Sequence, residues 1–96
     1  MIKVNLIKNG DQVIGLEVTG HANSAPHGKD LICAAVSSIL TGGFNAFNEN
    51  DIEECSLEEG YAKVIICSDN GQIILNTLIV QLKTIEMSYP KFIKIK

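Results

Sequence analysis

A histidine and a cysteine capable of nucleophilic chemistry lie near each other in the N-terminal half of the chain. Residues 20–38 read GHANSAPHGKDLICAAVSS, with His21 in a polar stretch and Cys33 at the start of an apolar run. Asp30 stands where a helix N-cap is expected, just before that run. If Asp30 is the N-cap, Cys33 is the third residue of the helix, beside unpaired backbone N–H groups and the positive end of the helix dipole. This position favours the thiolate form of cysteine, which is the reactive form.

One short segment can therefore supply three parts of an acyl-transfer site. The Cys33 thiolate would attack a carbonyl, and His21 would act as general base and then as acid toward the leaving amine. The N–H groups at the helix start would donate to the developing oxyanion. Plainer interpretations stand beside this one, because cysteine is among the residue types most often buried in a core. A metal site built from His21, His27, Asp30 and Cys33 is a further alternative, although their spacing lacks the usual zinc pattern.

Composition limits the classes of protein to which the chain can belong. Its 96 residues suit a single domain over 1–96, with 46% hydrophobic and 20% charged residues as in ordinary globular proteins. The net charge is -3 and Lys residues cluster only in the short tail, which argues against direct binding of nucleic acid. No apolar run is long enough to cross a membrane, and the N-terminus alternates apolar and polar residues, unlike a secretory signal.

The cysteines indicate a compartment. The chain has three of them, Cys33, Cys55 and Cys67, with no CxxC motif. An odd number without that spacing argues against a disulfide framework and favours a reducing cytoplasm, where free thiols persist. We interpret Cys55 and Cys67, which lie in strand-like runs, as structural residues.

Apolar periodicity predicts the elements that position the candidate residues. Alternation predicts strands over 2–8 and 12–19, and turn chemistry at 9–11 joins them as a hairpin. Residues 20–28 show no apolar period and are predicted to form a loop. A helix should follow from Asp30 to about Asn48, with one face formed by Ile32, Val36, Leu40, Gly43 and Phe47.

The second half of the chain repeats this order. Strands are predicted at 52–59 and 61–67 around Gly60, and the apolar run 64–66 indicates a strand buried on both faces. Asp69 or Asn70 should cap a second helix. Its apolar stripe consists of Ile73, Ile74, Leu78, Ile79, Leu82 and Ile85.

Pro90 stops that helix, and a short last strand is predicted around Phe92, Ile93 and Ile95. The resulting ββαββαβ order predicts an α+β fold. We expect a single domain with a mixed, mostly antiparallel sheet packed with two helices.

The segment 20–38 closely resembles the signature of the ribosomal-processing cysteine protease family, Prp. That signature consists of Gly-His-Ala, then Gly-x-Asp, two apolar residues and Cys-Ala-Ala-Val-Ser. This chain carries the three parts at 20–22, 28–30 and 33–37. The resemblance continues in character through the second helix to the Tyr-Pro-Lys ending at 89–91, so it covers nearly the whole chain.

The resemblance implies a function and a set of site residues. Members of the family remove a short N-terminal extension from a large-subunit ribosomal protein, cleaving after an aromatic residue and leaving a small residue at the new terminus. It implies His21 and Cys33 as the catalytic pair, Asp30 in a supporting role, and a homodimer. We expect no cofactor and no metal. The alternative function is a non-catalytic ribosome-assembly module of the same fold.

The loop over 20–28 is expected to contact substrate through Gly20, Ala22 and Gly28. Its ends are glycines and its non-polar residues are small, so nothing is expected to anchor it in a core. We therefore predict a mobile lid that orders over bound substrate and brings His21 toward Cys33.

The same loop contains a second histidine, which could compete for the role of base. His21 directly follows the predicted second strand, where a side chain is held more firmly than in the middle of a loop. We therefore predict that His21, rather than His27, is the base. Asp30 is expected mainly to cap the helix, and so to orient Cys33 indirectly.

Overall fold

The chain alternates pairs of strands with single helices. A computed structural model describes residues 1–26 and 30–96. The elements in chain order are β1 (Ile2–Asn9), β2 (Gln12–Thr19), α1 (Leu31–Asn45), a single 3₁₀ turn (Glu49–Asp51), β3 (Ile52–Glu58), β4 (Tyr61–Ile66), α2 (Asp69–Ser88) and β5 (Ile93–Ile95). The predicted ββαββαβ order and the α+β class are confirmed.

The strands form a five-stranded sheet in the order β3-β4-β2-β1-β5. Pairings β1–β2, β2–β4 and β3–β4 are antiparallel, and β5 lies parallel to β1. The sheet is therefore mixed and mostly antiparallel, as predicted. Because β2 pairs with β4, the two hairpins of the chain lie side by side in the middle of the sheet.

The core lies between one face of the sheet and the two helices. Alternate residues of β4 are buried, with Val64 at 0% and Ile66 at 7% exposure, while Ile65 between them is only half-buried. The prediction of a strand buried on both faces is therefore wrong. The reason is that an apolar run without alternation can also arise where the outer face of an antiparallel sheet is only partly solvated.

Helix α1 ends three residues earlier than predicted, at Asn45. Its buried residues are Ile32, Val36, Leu40 and Phe44, so Phe44 takes the core position that the prediction gave to Gly43 and Phe47. Gly43 has a different role, because a methyl group placed on it would lie 2.1 Å from a methyl carbon of Leu78 in α2. The glycine thus allows the two helices to pack closely.

Helix α2 is capped by Ser68, not by Asp69 or Asn70 as predicted. The Ser68 hydroxyl accepts the Gly71 N–H at 2.9 Å and donates to the carboxylate of the buried Asp51 at 2.7 Å. A hydroxyl can accept from the helix and donate to a carboxylate at the same time, which an ionised acidic cap such as Asp69 cannot do.

The buried face of α2 also differs in part from the predicted stripe. It consists of Gly71, Leu75, Leu78, Ile79 and Leu82, whereas Ile73 is 66% exposed. In the described part of the chain, neither helix combines the length and apolar character needed to cross a membrane.

Candidate functional site

His21 lies just beyond β2, beside the turn that joins β3 to β4. The backbone N–H of Gly20 donates to the carbonyl of Gly60 at 3.1 Å, which fastens the end of β2 to that turn. The imidazole of His21 is exposed and lies against Gly60, with Nε2 3.1 Å from the position that a Cβ on Gly60 would occupy. The imidazole is therefore placed by a residue far from it in sequence.

Cys33 is the third residue of α1, as predicted, and its side chain is half-buried. The sulfur accepts a hydrogen bond from the backbone N–H of Ala22 at 3.1 Å. The nucleophile candidate is thereby tied to the residue that follows His21. Among the hydrogen bonds of residues 1–26 and 30–96, none joins the His21 ring to this sulfur.

Asp30 is the N-cap of α1 and accepts four hydrogen bonds. One carboxylate oxygen accepts the N–H groups of Ile32 and Cys33 at 3.1 and 3.0 Å, and also the Ser24 hydroxyl at 2.5 Å. The other oxygen accepts the Ser24 N–H at 2.9 Å. The Ser24 hydroxyl and the Cys33 N–H hold the pKa of Asp30 well below its usual range, so this carboxyl is ionised throughout the neutral range.

These contacts correct the expected source of oxyanion donors. The N–H groups of Ile32 and Cys33 are already bonded to the Asp30 carboxylate, so they are not free to bind an oxyanion. Sequence reasoning missed this because it treated the cap and the open helix end as separate features. The Ala22 N–H, which points at the sulfur, is a backbone donor in a better position.

The loop after β2 is anchored, contrary to the expectation that nothing in it could enter a core. Ala22 is 3% exposed and belongs to the hydrophobic core, so its side chain does not face a substrate. Ser24 is held by Asp30, and Asn23 between them adopts a left-handed backbone with φ 55°, which asparagine tolerates better than most residues.

Part of the predicted lid lies outside the described residues, which exclude 27–29. The expected substrate contact of Gly28, the role of His27 and the closing motion of the loop therefore stay predictions.

One cavity brings the three candidate residues together. It has a volume of about 690 Å³ and is lined by His21, Asp30 and Cys33, with Gly20 also at its wall. This volume lies within the usual range for a ligand pocket. Much of the remaining wall is formed by one face of α1 and the β3–β4 hairpin from Leu57 to Ala62. No local sequence pattern indicates the hairpin wall, because its residues reach the site only through the pairing of β4 with β2.

A metal centre finds no support in the described residues. Among them, no three His, Cys, Asp or Glu side chains are grouped so that they could hold an ion. The metal alternative would also have used His27, which lies outside the described residues.

Comparison with known proteins gives a consistent result. The family model described as cysteine protease Prp matches residues 1–94. A Mycoplasma genitalium protein named ribosomal processing cysteine protease Prp is 40% identical over 98 residues, covering 99% of this chain and 94% of the relative. A Bacillus subtilis protein of the same name is 30% identical over 101 residues, covering 93% of this chain and 90% of the relative.

A crystal structure of the ribosomal processing protease Prp from S. aureus, in complex with a covalently linked product peptide, has the same fold. It matches with a TM-score of 0.88 and 28% identity, covering 100% of this chain and 98% of that one. A second S. aureus Prp structure, in complex with a substrate peptide, matches with a TM-score of 0.81 and 27% identity, with the same coverage of both chains.

The hydrogen bonds of Asp30 predict how acid affects stability. Its pKa in the folded protein is depressed below the ordinary 3.8, so its stabilising contribution is present above that value and is lost as pH falls toward the folded pKa. The stability difference between the wild type and Asp30→Asn should therefore shrink from about pH 5 to pH 2, as urea unfolding at each pH would show. Ser24→Ala removes the strongest of these hydrogen bonds and should shift the loss to higher pH. A stability difference between the wild type and Asp30→Asn that stays constant over this pH range would contradict the depressed pKa of Asp30.

Proposed function

This chain belongs to the cysteine protease Prp family and is therefore a peptide hydrolase, and we propose that it removes the N-terminal extension of a large-subunit ribosomal protein. The observation that carries the proposal is the cavity in which a cysteine at a helix N-terminus and a histidine from a neighbouring loop both stand at the wall. Relatives that share the fold bear the name of ribosomal processing proteases, and one has been solved with a substrate peptide.

In the proposed mechanism, His21 takes the proton of the Cys33 thiol and the thiolate attacks the scissile carbonyl. A carbon–sulfur bond forms while the carbonyl π electrons move to oxygen. When the intermediate collapses, the peptide C–N bond breaks and His21 gives its proton to the leaving nitrogen, which becomes the new N-terminus. Water then hydrolyses the thioester, again with His21 as base, and restores the thiol.

The free enzyme holds this machinery in a partly assembled state. The sulfur is bonded to the Ala22 N–H and not to the imidazole, so His21 must turn or approach before it can take the proton. Catalytic hydrogen bonds are often incomplete without substrate, so this geometry is compatible with the mechanism. The Ala22 N–H lies next to the sulfur, and therefore next to an oxyanion formed two bonds away from it.

Asp30 acts in the proposal as a positioning residue. Its two oxygens already accept four hydrogen bonds, from Ser24, Ile32 and Cys33, so it has little capacity left to accept a proton from substrate. Its contribution is to hold the helix start and the loop in one arrangement.

The shape of the cavity suits an extended peptide with an aromatic side chain. Leu57 of β3 gives apolar contact area at the cavity wall, and Ser37 and Thr41 on α1 add hydroxyls along the line that begins at Cys33. Leu57 is 45% exposed, so apolar surface is left open for a ligand to cover. These features support cleavage next to an aromatic residue of the ribosomal protein.

The proposal places the enzyme in the cytoplasm, where it would meet newly made ribosomal protein. All three cysteines are free in the structure, and Cys55 and Cys67 are exposed. Exposed free thiols are compatible with a reducing compartment.

Substitution of Cys33 tests the nucleophile. Cys33→Ala should lower cleavage of the extended ribosomal protein by more than about a thousandfold, because no other group at the site can form the thioester. The fold should survive, since alanine suits a helix. Mass spectrometry of the ribosomal protein after incubation would show the intact extension. Cys55→Ala and Cys67→Ala are the matched controls and should retain activity.

Two outcomes would count against the proposal. Appreciable cleavage by Cys33→Ala would exclude the mechanism. If the wild type binds the ribosomal protein but leaves it intact, and iodoacetamide at neutral pH does not alkylate Cys33 preferentially, the chain is the non-catalytic assembly module.

Substitution of each histidine tests the identity of the base. His21→Ala should lower kcat by about 10²–10⁴-fold, because proton transfer to and from the reacting groups is lost. His27→Ala should change kcat little. Steady-state cleavage of a peptide that spans the processing site measures both. The reverse ranking would assign the base to His27.

We also propose that the enzyme is a homodimer paired through α2. The α2 outer stripe, defined by Ile73, Thr77, Val80, Thr84 and Met87, faces away from the core. Its three large apolar residues recur every seven positions and are 66%, 63% and 84% exposed. The two threonine hydroxyls donate to carbonyls within the helix, at 3.0 and 2.8 Å, and need no other partner.

This stripe is complementary to a second copy of itself. If two α2 helices cross antiparallel with Val80 at the centre, Ile73 of one helix meets Met87 of the other. The same arrangement brings Asp69, at the start of one helix, near the end of the other, which is followed by Lys91; both residues are exposed. The pairing joins opposite charges as well as apolar surfaces.

Val80→Glu should convert the dimer to a monomer, because it places two carboxylates against each other at the centre of the pairing. Sedimentation equilibrium would give the mass of each variant. Gln81→Glu is the matched control, since it adds the same charge at the next residue, off the stripe, and should stay dimeric. A Val80→Glu dimer would exclude this surface, and a monomeric wild type would exclude the homodimer.

A further inference from the structure

The turn between β3 and β4 touches the residues around His21 at two points. The carbonyl of Gly60 accepts the Gly20 N–H at 3.1 Å, and the edge of the His21 ring lies beside the position that a Cβ on Gly60 would occupy. A methyl group on Gly60 would lie 3.1 Å from Nε2, 3.5 Å from Cε1 and 4.0 Å from Cδ2. The first distance is closer than ordinary van der Waals contact, so a side chain at residue 60 would require the ring to shift from this place.

Gly60 also has a backbone conformation that favours glycine, with φ +75°. Conformation alone does not distinguish it, because Gly10 in the β1–β2 turn has φ +63°. The space around the two glycines differs, since none of the described residues places an atom within 4 Å of a Cβ built on Gly10. The contact with the imidazole is therefore a property of Gly60 that its turn geometry does not require.

We infer that Gly60 is a positioning residue for His21, which rests on the proposed role of His21 as the base. The hydrogen bond from Gly20 fixes the backbone that precedes the histidine, and the bare Cα of Gly60 leaves room for the ring. Both constraints come from one turn, so the β3–β4 turn sets the place from which the imidazole approaches Cys33 in the cavity that they share. A side chain at position 60 would push the ring out of that place without touching Cys33.

Asparagine substitutions separate this role from turn strain. Asparagine tolerates a positive φ better than other residues with side chains, so Gly60→Asn and Gly10→Asn should melt at similar temperatures. Gly60→Asn should lower kcat for a processing-site peptide by about tenfold or more with KM little changed, since small displacements of a catalytic group are costly. Gly60→Ala, with a smaller side chain, should give an intermediate loss. Gly10→Asn should keep the kcat of the wild type.

Alkylation of Cys33 by iodoacetamide gives a readout that needs no peptide substrate. If His21 activates the thiol, Gly60→Asn should slow alkylation toward the rate of His21→Ala. The double variant should be no slower than His21→Ala alone, because both substitutions remove the same interaction. Mass spectrometry of the Cys33-containing fragment follows the reaction without interference from Cys55 and Cys67.

Several results would overturn the inference. One is a Gly60→Asn variant that cleaves and is alkylated like Gly10→Asn. Another is a raised KM with unchanged kcat, which would place residue 60 against the substrate instead of against the imidazole. A third is additive slowing of alkylation in the double variant. If the alkylation pattern is as expected but the wild type does not cleave the ribosomal protein, Gly60 keeps its role and the proposed substrate is wrong.

Discussion

The candidate site depends on the hydrogen bonds that the Asp30 carboxylate accepts. The strands of the sheet hold one another through their ladders, but α1 and the loop after β2 are joined to each other at Asp30. Charged acceptors form stronger hydrogen bonds than neutral ones, and this one binds N–H groups from both segments at once. The position of Cys33 relative to the loop that carries His21 therefore depends on one ionised side chain, together with the Ala22 N–H that binds the sulfur.

The sheet supplies the second constraint. In the pairing of β2 with β4, Thr19 lies opposite Tyr61, so the residues that follow β2 meet those that precede β4. This register brings Gly20 and His21 to the turn at Gly60, about 40 positions later in the chain. Cys33 is thus placed by contacts with chain neighbours and His21 by a contact with a distant turn. The cavity lies between α1 and that turn.

Features that depend on neighbouring residues could be predicted from the sequence. Features that depend on contacts between residues distant in the chain could not. The alternation of apolar and polar residues predicted the strands. A good N-cap residue before an apolar run predicted that Cys33 is the third residue of α1. The burial of Ala22 escaped prediction, because it depends on the core surface beneath the loop. The cap of α2 was misplaced because Ser68, Asp69 and Asn70 are all good caps, and the choice among them is made by a carboxylate, that of Asp51, which precedes β3.

The hydrogen bonds that hold Cys33 join neighbours in the chain, whereas the contact that holds His21 joins distant residues. This difference affects the order in which they can form during folding. Asp30, Ile32 and Cys33 are neighbours in the chain, so their hydrogen bonds can form as soon as the helix nucleates. The contact of His21 with Gly60 must wait until the two hairpins pair, which is a slower step because it closes a long loop. A growing or partly folded chain would therefore carry the Cys33 thiol before His21, its proposed base, is in place. Under the proposed mechanism, such a protease would acquire its activity only after β2 has paired with β4, and its folding intermediates would pose little proteolytic danger to the chains around them.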